Sequence, residues 1–108
     1  MFYKKYLSNM KYYMLLDTYR LEYLKEITED KFKEIYDIFK KYNFYYIDDV
    51  VLRYLEIFTM DSKVVEKGIL KLNRELGNNF VYLIGNNMSY LEKILDDESS
   101  DIDGQRYI

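Results

Sequence analysis

Between Asp61 and Gly77 the chain spells out one helix from end to end. Val65, Ile69, Leu72 and Leu76 recur three or four residues apart, and Val64 widens the stripe. That spacing lines one face of an α-helix, whereas a strand alternates every second residue. Asp61 or Ser62 can accept a hydrogen bond from an orphan N–H of the first turn. Gly77 can take the left-handed conformation that ends helices. Lys63, Lys67, Lys71 and Arg74 lie mostly off the stripe. Gly68 sits inside the helix, where glycine costs about 1 kcal/mol against alanine. It is therefore expected to mark a close helix contact.

The same period governs the rest of the body. Thr28 is a second cap, followed by Glu29 and Asp30, where the helix dipole favours acids. Phe32, Ile35, Phe39 and Tyr42 form its stripe, with Tyr36 on the flank and Asn43 as the stop. Lys33 and Asp37 are spaced for a pair one turn apart. Asp48 is expected to cap a third helix that runs to Phe58 and is apolar around much of its circumference, hence central. Residues 3–27 predict one or two helices, with Leu16, Tyr23 and Ile27 inward and a break near Asn9. After Gly77, a short apolar piece from Phe80 to Ile84 should hinge at Gly85. Asn87 should then cap a last helix carrying Met88, Leu91, Ile94 and Leu95.

The expected fold class is all-α: a compact bundle of five or six short amphipathic helices, with residues 1–95 as one domain. A shift of 34 residues maps Ile35 onto Ile69, Ile38 onto Leu72, Tyr42 onto Leu76 and Asn43 onto Gly77. That is the pattern of a repeated helical hairpin. From Asp96 onward the composition turns acidic, small and polar, which predicts a disordered tail over 96–108.

Charge divides at the same point. Of 16 Lys and Arg and 19 Asp and Glu, residues 96–108 hold one Arg and five acids. The body therefore carries 15 basic against 14 acidic side chains, and no large charge of either sign marks it for nucleic acid. No apolar run reaches the ~18 residues of a membrane span, and the first residues lack an apolar signal core. The expected location is the cytoplasm, away from membranes.

Histidine and cysteine are absent. That removes an imidazole base, a thiolate nucleophile and any Cys/His zinc site. The four glycines are isolated, so no phosphate loop is present. Asp48 and Asp49 are the tightest acidic pair of the body, but neighbours in a helix point apart and suit a cap better than a dyad. No enzyme activity, no cofactor and no metal are expected.

What remains is surface. Alanine, proline and tryptophan are also missing, while tyrosine, lysine, asparagine and isoleucine abound, which follows the codon bias of an AT-rich genome. Some of the 14 tyrosines should nevertheless stay outside, and tyrosine is enriched at interface centres. Tyr3, Tyr12, Tyr13, Tyr45, Tyr46, Tyr82 and Tyr90 are too many to place inside. All but Tyr3 form the expected partner-binding set. The leading expectation is a small non-catalytic module that occupies a partner protein's surface, as an adaptor, a regulator or a phage- or plasmid-type inhibitor. A homodimer or structural homo-oligomer is a second expectation. A third is a nucleic-acid surface built from Lys4, Lys5, Lys11, Lys40 and Lys41 with adjacent tyrosines.

Overall fold

The structure, a computed structural model, describes residues 1–96. The acidic tail expected after Asp96 lies outside the described residues, apart from Asp96 itself. The fold is all-α, with no strand among the described residues. No helix there is long and apolar enough to cross a membrane. The chain divides into two compact units, Met1–Thr59 and a second that begins at Met60.

The first unit opens with a 3-10 turn, Phe2–Lys5. The break expected near Asn9 is found there: Ser8 caps helix α1, Asn9–Thr18, by accepting from the Lys11 N–H at 3.3 Å. Helix α2, Leu21–Glu26, follows after an extended Tyr19 and Arg20. This second break, at Tyr19, is not marked by a local stop signal. The Thr18 hydroxyl donates to the Met14 carbonyl, and Tyr19 leaves the helix so that its phenol reaches Leu52. The break resets the helical phase, so Leu15 turns fully inward and Leu16 is only half-buried.

Helix α3, Glu29–Lys41, forms as its pattern predicts. Thr28 caps it by accepting from the Lys31 N–H, and Phe32, Ile35 and Phe39 are fully buried. Helix α4, Ile47–Arg53, departs from expectation at both ends. Its N-cap is Tyr46, with Asp48 and Asp49 in the first turn. It stops at Tyr54, and a 3-10 turn, Leu55–Thr59, carries the chain on. The Tyr19 phenol accounts for the stop. It donates to the Leu52 carbonyl at 3.0 Å and accepts from the Leu55 N–H at 3.5 Å. A side chain thus satisfies backbone groups that a continuous helix would have paired internally.

A second phenol does the same at α2. The Tyr3 hydroxyl donates to the Leu24 carbonyl at 2.7 Å, one of the last carbonyls of that helix, which lack intrahelical donors. The ring is fully buried, which corrects the expectation of an exposed Tyr3. Phe32 stands at the centre of the aromatic packing. Phe58 stacks on it at 4.9 Å, and Tyr3 meets it edge-on at 5.5 Å.

The second unit carries helix α5, Ser62–Leu76. Asp61 caps it by accepting from the Lys63 and Val64 N–H groups. Val65, Ile69 and Leu72 are buried as the stripe requires. Gly77 ends it at φ 83° and ψ −165°, a combination open in practice only to glycine and distinct from the left-handed helical one expected. Helix α6, Phe80–Asn86, runs through Gly85, and the hinge falls at Asn87. Asn87 then caps a 3-10 turn, Met88–Leu91, through the Ser89 N–H. Residues 92–96 are helical again.

Both units hold the same series: a capped long helix, a positive-φ stop, a seven-residue helix, a break and a 3-10 turn. The register is 33 residues, not the 34 suggested by the apolar pattern. It pairs Thr28 with Asp61, Ile47 with Phe80 and Tyr54 with Asn87. Phe32, Phe39, Val51 and Phe58 then fall on Val65, Leu72, Ile84 and Leu91, and all eight are buried. The stops sit 34 apart: α5 is two residues longer than α3, but Gly77 follows α5 directly, whereas Asn43 stands one residue further on, after Tyr42.

Gly68 has the packing reason its position implied. A Cβ there would stand 2.9 Å from Cγ1 of the buried Ile94. Gly68→Ala should therefore lower stability by about 1–2 kcal/mol through overpacking, although alanine is the better helix former. The loss should shrink in an Ile94→Ala background, as chemical denaturation of the four members of the cycle would show.

Burial, and then the neighbouring Tyr23, pushes the Tyr3 phenol up to about 12. An unfolded tyrosine ionises near pH 10. The Tyr3 contribution should be complete below pH 10 and disappear as pH rises through 12. Tyr3→Phe should cost about 1 kcal/mol at pH 8 and flatten the alkaline fall in stability, read by urea unfolding between pH 8 and pH 12.

Candidate functional site

The turn after α3 sorts aromatic residues by sign. The Asn43 N–H donates to the Lys40 carbonyl at 3.0 Å and the Phe44 N–H to the Phe39 carbonyl at 3.1 Å. Asn43 has φ 67°. This pair of bonds around a left-handed residue is a Schellman motif, which favours an apolar contact between its outer residues. Phe44 and Phe39 supply it, edge to face at 5.0 Å. With Phe44 drawn inward, the next residue is thrown out: Tyr45 is 72% exposed. Tyr46 goes back in. Its ring packs edge-on to Phe44 at 5.6 Å and to Tyr45 at 4.9 Å.

Tyr45 stands at the rim of a cleft of about 270 Å³ lined by Tyr6, Tyr36, Lys40, Phe44, Ile47 and Asp48. The Tyr6 and Tyr36 rings lie 5.0 Å apart at 60°. The Tyr6 hydroxyl donates to Glu29 Oε2 at 3.3 Å. Partial burial, then the Glu29 carboxylate, raises its pKa, so at neutral pH it remains a neutral donor. Lys40 is exposed and has no carboxylate partner among the described residues.

On its other side the cleft abuts an ion-pair clamp. Lys11 Nζ reaches Asp48 Oδ2 at 2.6 Å and Asp49 Oδ1 at 3.1 Å. The Asp48 hydrogen bond leads the causes that raise the Lys11 pKa, so this ammonium is held charged. The adjacent acids expected to act as a cap instead fasten α1 to the first turn of α4. Both carboxylates are engaged by one lysine.

The other sequence candidates scatter. Tyr12 is buried at 7% exposure and Tyr46 at 8%, which corrects their expected place on the surface. Tyr12 shares the inward face of α1 with Leu15, and the Lys4 ammonium lies 5.3 Å over its ring. Tyr13 is exposed on the same helix. Tyr82 is exposed on α6, and Tyr90 is half-buried in the 3-10 turn after it. Those two belong to the second unit.

The five lysines of the nucleic-acid expectation do not assemble into free charge. Lys5 pairs with Glu29 at 3.0 Å and Lys11 with two aspartates. Lys41 lies 5.4 Å over the Tyr42 ring. Lys40 alone of the five lines the cleft.

Tyr6 and Tyr36 were not singled out as candidates, although they form the cleft walls. Tyr36 and Lys40 are four residues apart, on one side of α3, and that signal was present in the sequence. Tyr6 had no such signal, because the chain turns at Ser8 before it reaches α3. The cleft thus offers the rings of Tyr6, Tyr36 and Phe44 together with the Lys40 ammonium and the Asp48 carboxylate. Comparison with family models, with curated proteins and with solved structures finds no match for the chain.

Proposed function

We propose that this chain is a small non-catalytic protein-binding module whose contact surface centres on Tyr45. In this reading it works in the cytoplasm as an adaptor, a regulator or an inhibitor that occupies a partner's surface. The exposure of Tyr45 over an aromatic cleft carries the reading. An aromatic ring already fixed in position loses little freedom when a partner covers it. Such rings dominate interface energies when they sit at the centre of a contact. The Schellman turn and the buried Tyr46 hold Tyr45 in place before any partner arrives. The exposed Lys40 ammonium adds a polar contact at the rim.

Tyr45→Ala removes the ring at a position where the fold does not need it. It should leave thermal unfolding unchanged and weaken partner binding by roughly tenfold or more. Tyr46→Ala is the contrasting change, since loss of a buried aromatic costs about 3–5 kcal/mol. The measurement is capture from cell lysate on immobilised wild-type and Tyr45→Ala protein, followed by titration of the captured partner. Equal capture on both, with both baits folded, would remove the Tyr45 surface from consideration.

A further inference from the structure

The Tyr45 cleft carries both halves of a contact on one patch. Its hollow is lined by the rings of Tyr6, Tyr36 and Phe44, and the Tyr45 ring projects at the rim, 72% exposed. Lys40 and Asp48 line the same cleft, yet their charges do not cancel within the chain. The Lys11 ammonium holds both Asp48 and Asp49, so two carboxylates share one cation and one negative charge is left over. Lys40 has no carboxylate partner among the described residues, which leaves one positive charge over beside it. The Asp48 side chain is still 35% exposed, and a carboxylate oxygen can accept more than one hydrogen bond.

A two-fold contact joins a surface to its own copy, so that residue i meets j while j meets i. Such a contact needs a knob beside a hollow and a cation beside an anion. This patch has all four. A foreign partner would have to match each of them separately, whereas a second copy brings them together. We propose that two copies of this chain pair about a two-fold axis at the cleft, each Tyr45 ring in the other copy's hollow and each Lys40 against the other copy's Asp48. The pairing presupposes that the Tyr45 cleft is a contact surface, and it adds a regulation to that reading. A copy seated there excludes any other partner, so partner binding competes with self-association. Seven residues line the cleft, few against the roughly 20–30 a side of a stable complex. The pair is therefore weak and exchanges with monomer.

Sedimentation equilibrium of the full chain between about 10 μM and about 1 mM covers the range of weak association and needs no partner. The mean mass should rise across it toward that of a dimer. Tyr45→Ala should lower the association constant roughly tenfold or more. Lys40→Glu and Asp48→Lys should each stay monomeric alone, because like charges then face each other across the axis. An equimolar mixture of these two variants should associate again, since each mixed pair sets opposite charges together at both contacts. If Asp48→Lys does not fold once Lys11 loses that carboxylate, Lys40→Glu and Tyr45→Ala, both at exposed side chains, still make the test. A wild-type chain that stays monomeric at the top of the range would overturn the pairing. So would association unchanged by Tyr45→Ala or Lys40→Glu, or a mixture of folded variants no better than its components. A monomeric chain whose lysate capture still depends on Tyr45 would leave the cleft a contact surface and remove the second copy from it.

Discussion

The first unit depends on one buried ring. Phe32 lies in α3, yet it gathers Tyr3 from the start of the chain and Phe58 from the turn that ends the unit. Helices of six, seven and ten residues are too short to persist alone in water. Their order comes from the apolar surface they bury together, and aromatic rings bury the most of it per residue. Phe58 also stacks on Phe39 at 5.7 Å, which extends the same cluster toward the Schellman turn. The exposed Tyr45 is thus connected, through Phe44 and Phe39, to the centre of the unit.

Tyrosine has two roles in this arrangement that phenylalanine could not fill. Tyr3 and Tyr19 carry hydroxyls into the fold and place them on backbone groups left over where helices stop. The unit can therefore break its helices where packing requires it without leaving those groups unpaired. A high tyrosine count is consistent with codon bias, but at these two positions the hydroxyl has a defined structural task.

The helices were legible wherever local rules decide them. Caps at Thr28, Asp61 and Asn87, stops at Asn43 and Gly77, and the stripes of α3 and α5 all follow from side-chain chemistry within a few residues. What escaped was decided at a distance. The breaks at Tyr19 and Tyr54 arise from one phenol that spans more than thirty residues of chain. Leu16 was assigned inward because the helix was read straight through the first of them. The candidate surface was only half legible for the same reason. Tyr45 and Tyr46 are both expected on the surface from the excess of tyrosines, whereas the turn geometry sends one out and one in. The free charge of the lysines was overestimated, because their partners Glu29, Asp48 and Asp49 are distant in sequence.

The 33-residue register has a consequence for how the protein is made. Each series runs from its cap to its 3-10 turn with elements that follow one another in order, so its internal loops are short. Short loops close quickly and helical chains with local contacts fold fast. During synthesis, the series from Thr28 to Thr59 is complete in sequence before the cap of α5 has been added. Residues left by a ribosome at roughly 5–20 per second would give the first series far longer than it needs to settle. The long waits that remain in the first unit are those of the Tyr19 phenol for Leu52 and Leu55 and of the Phe32 ring for Phe58.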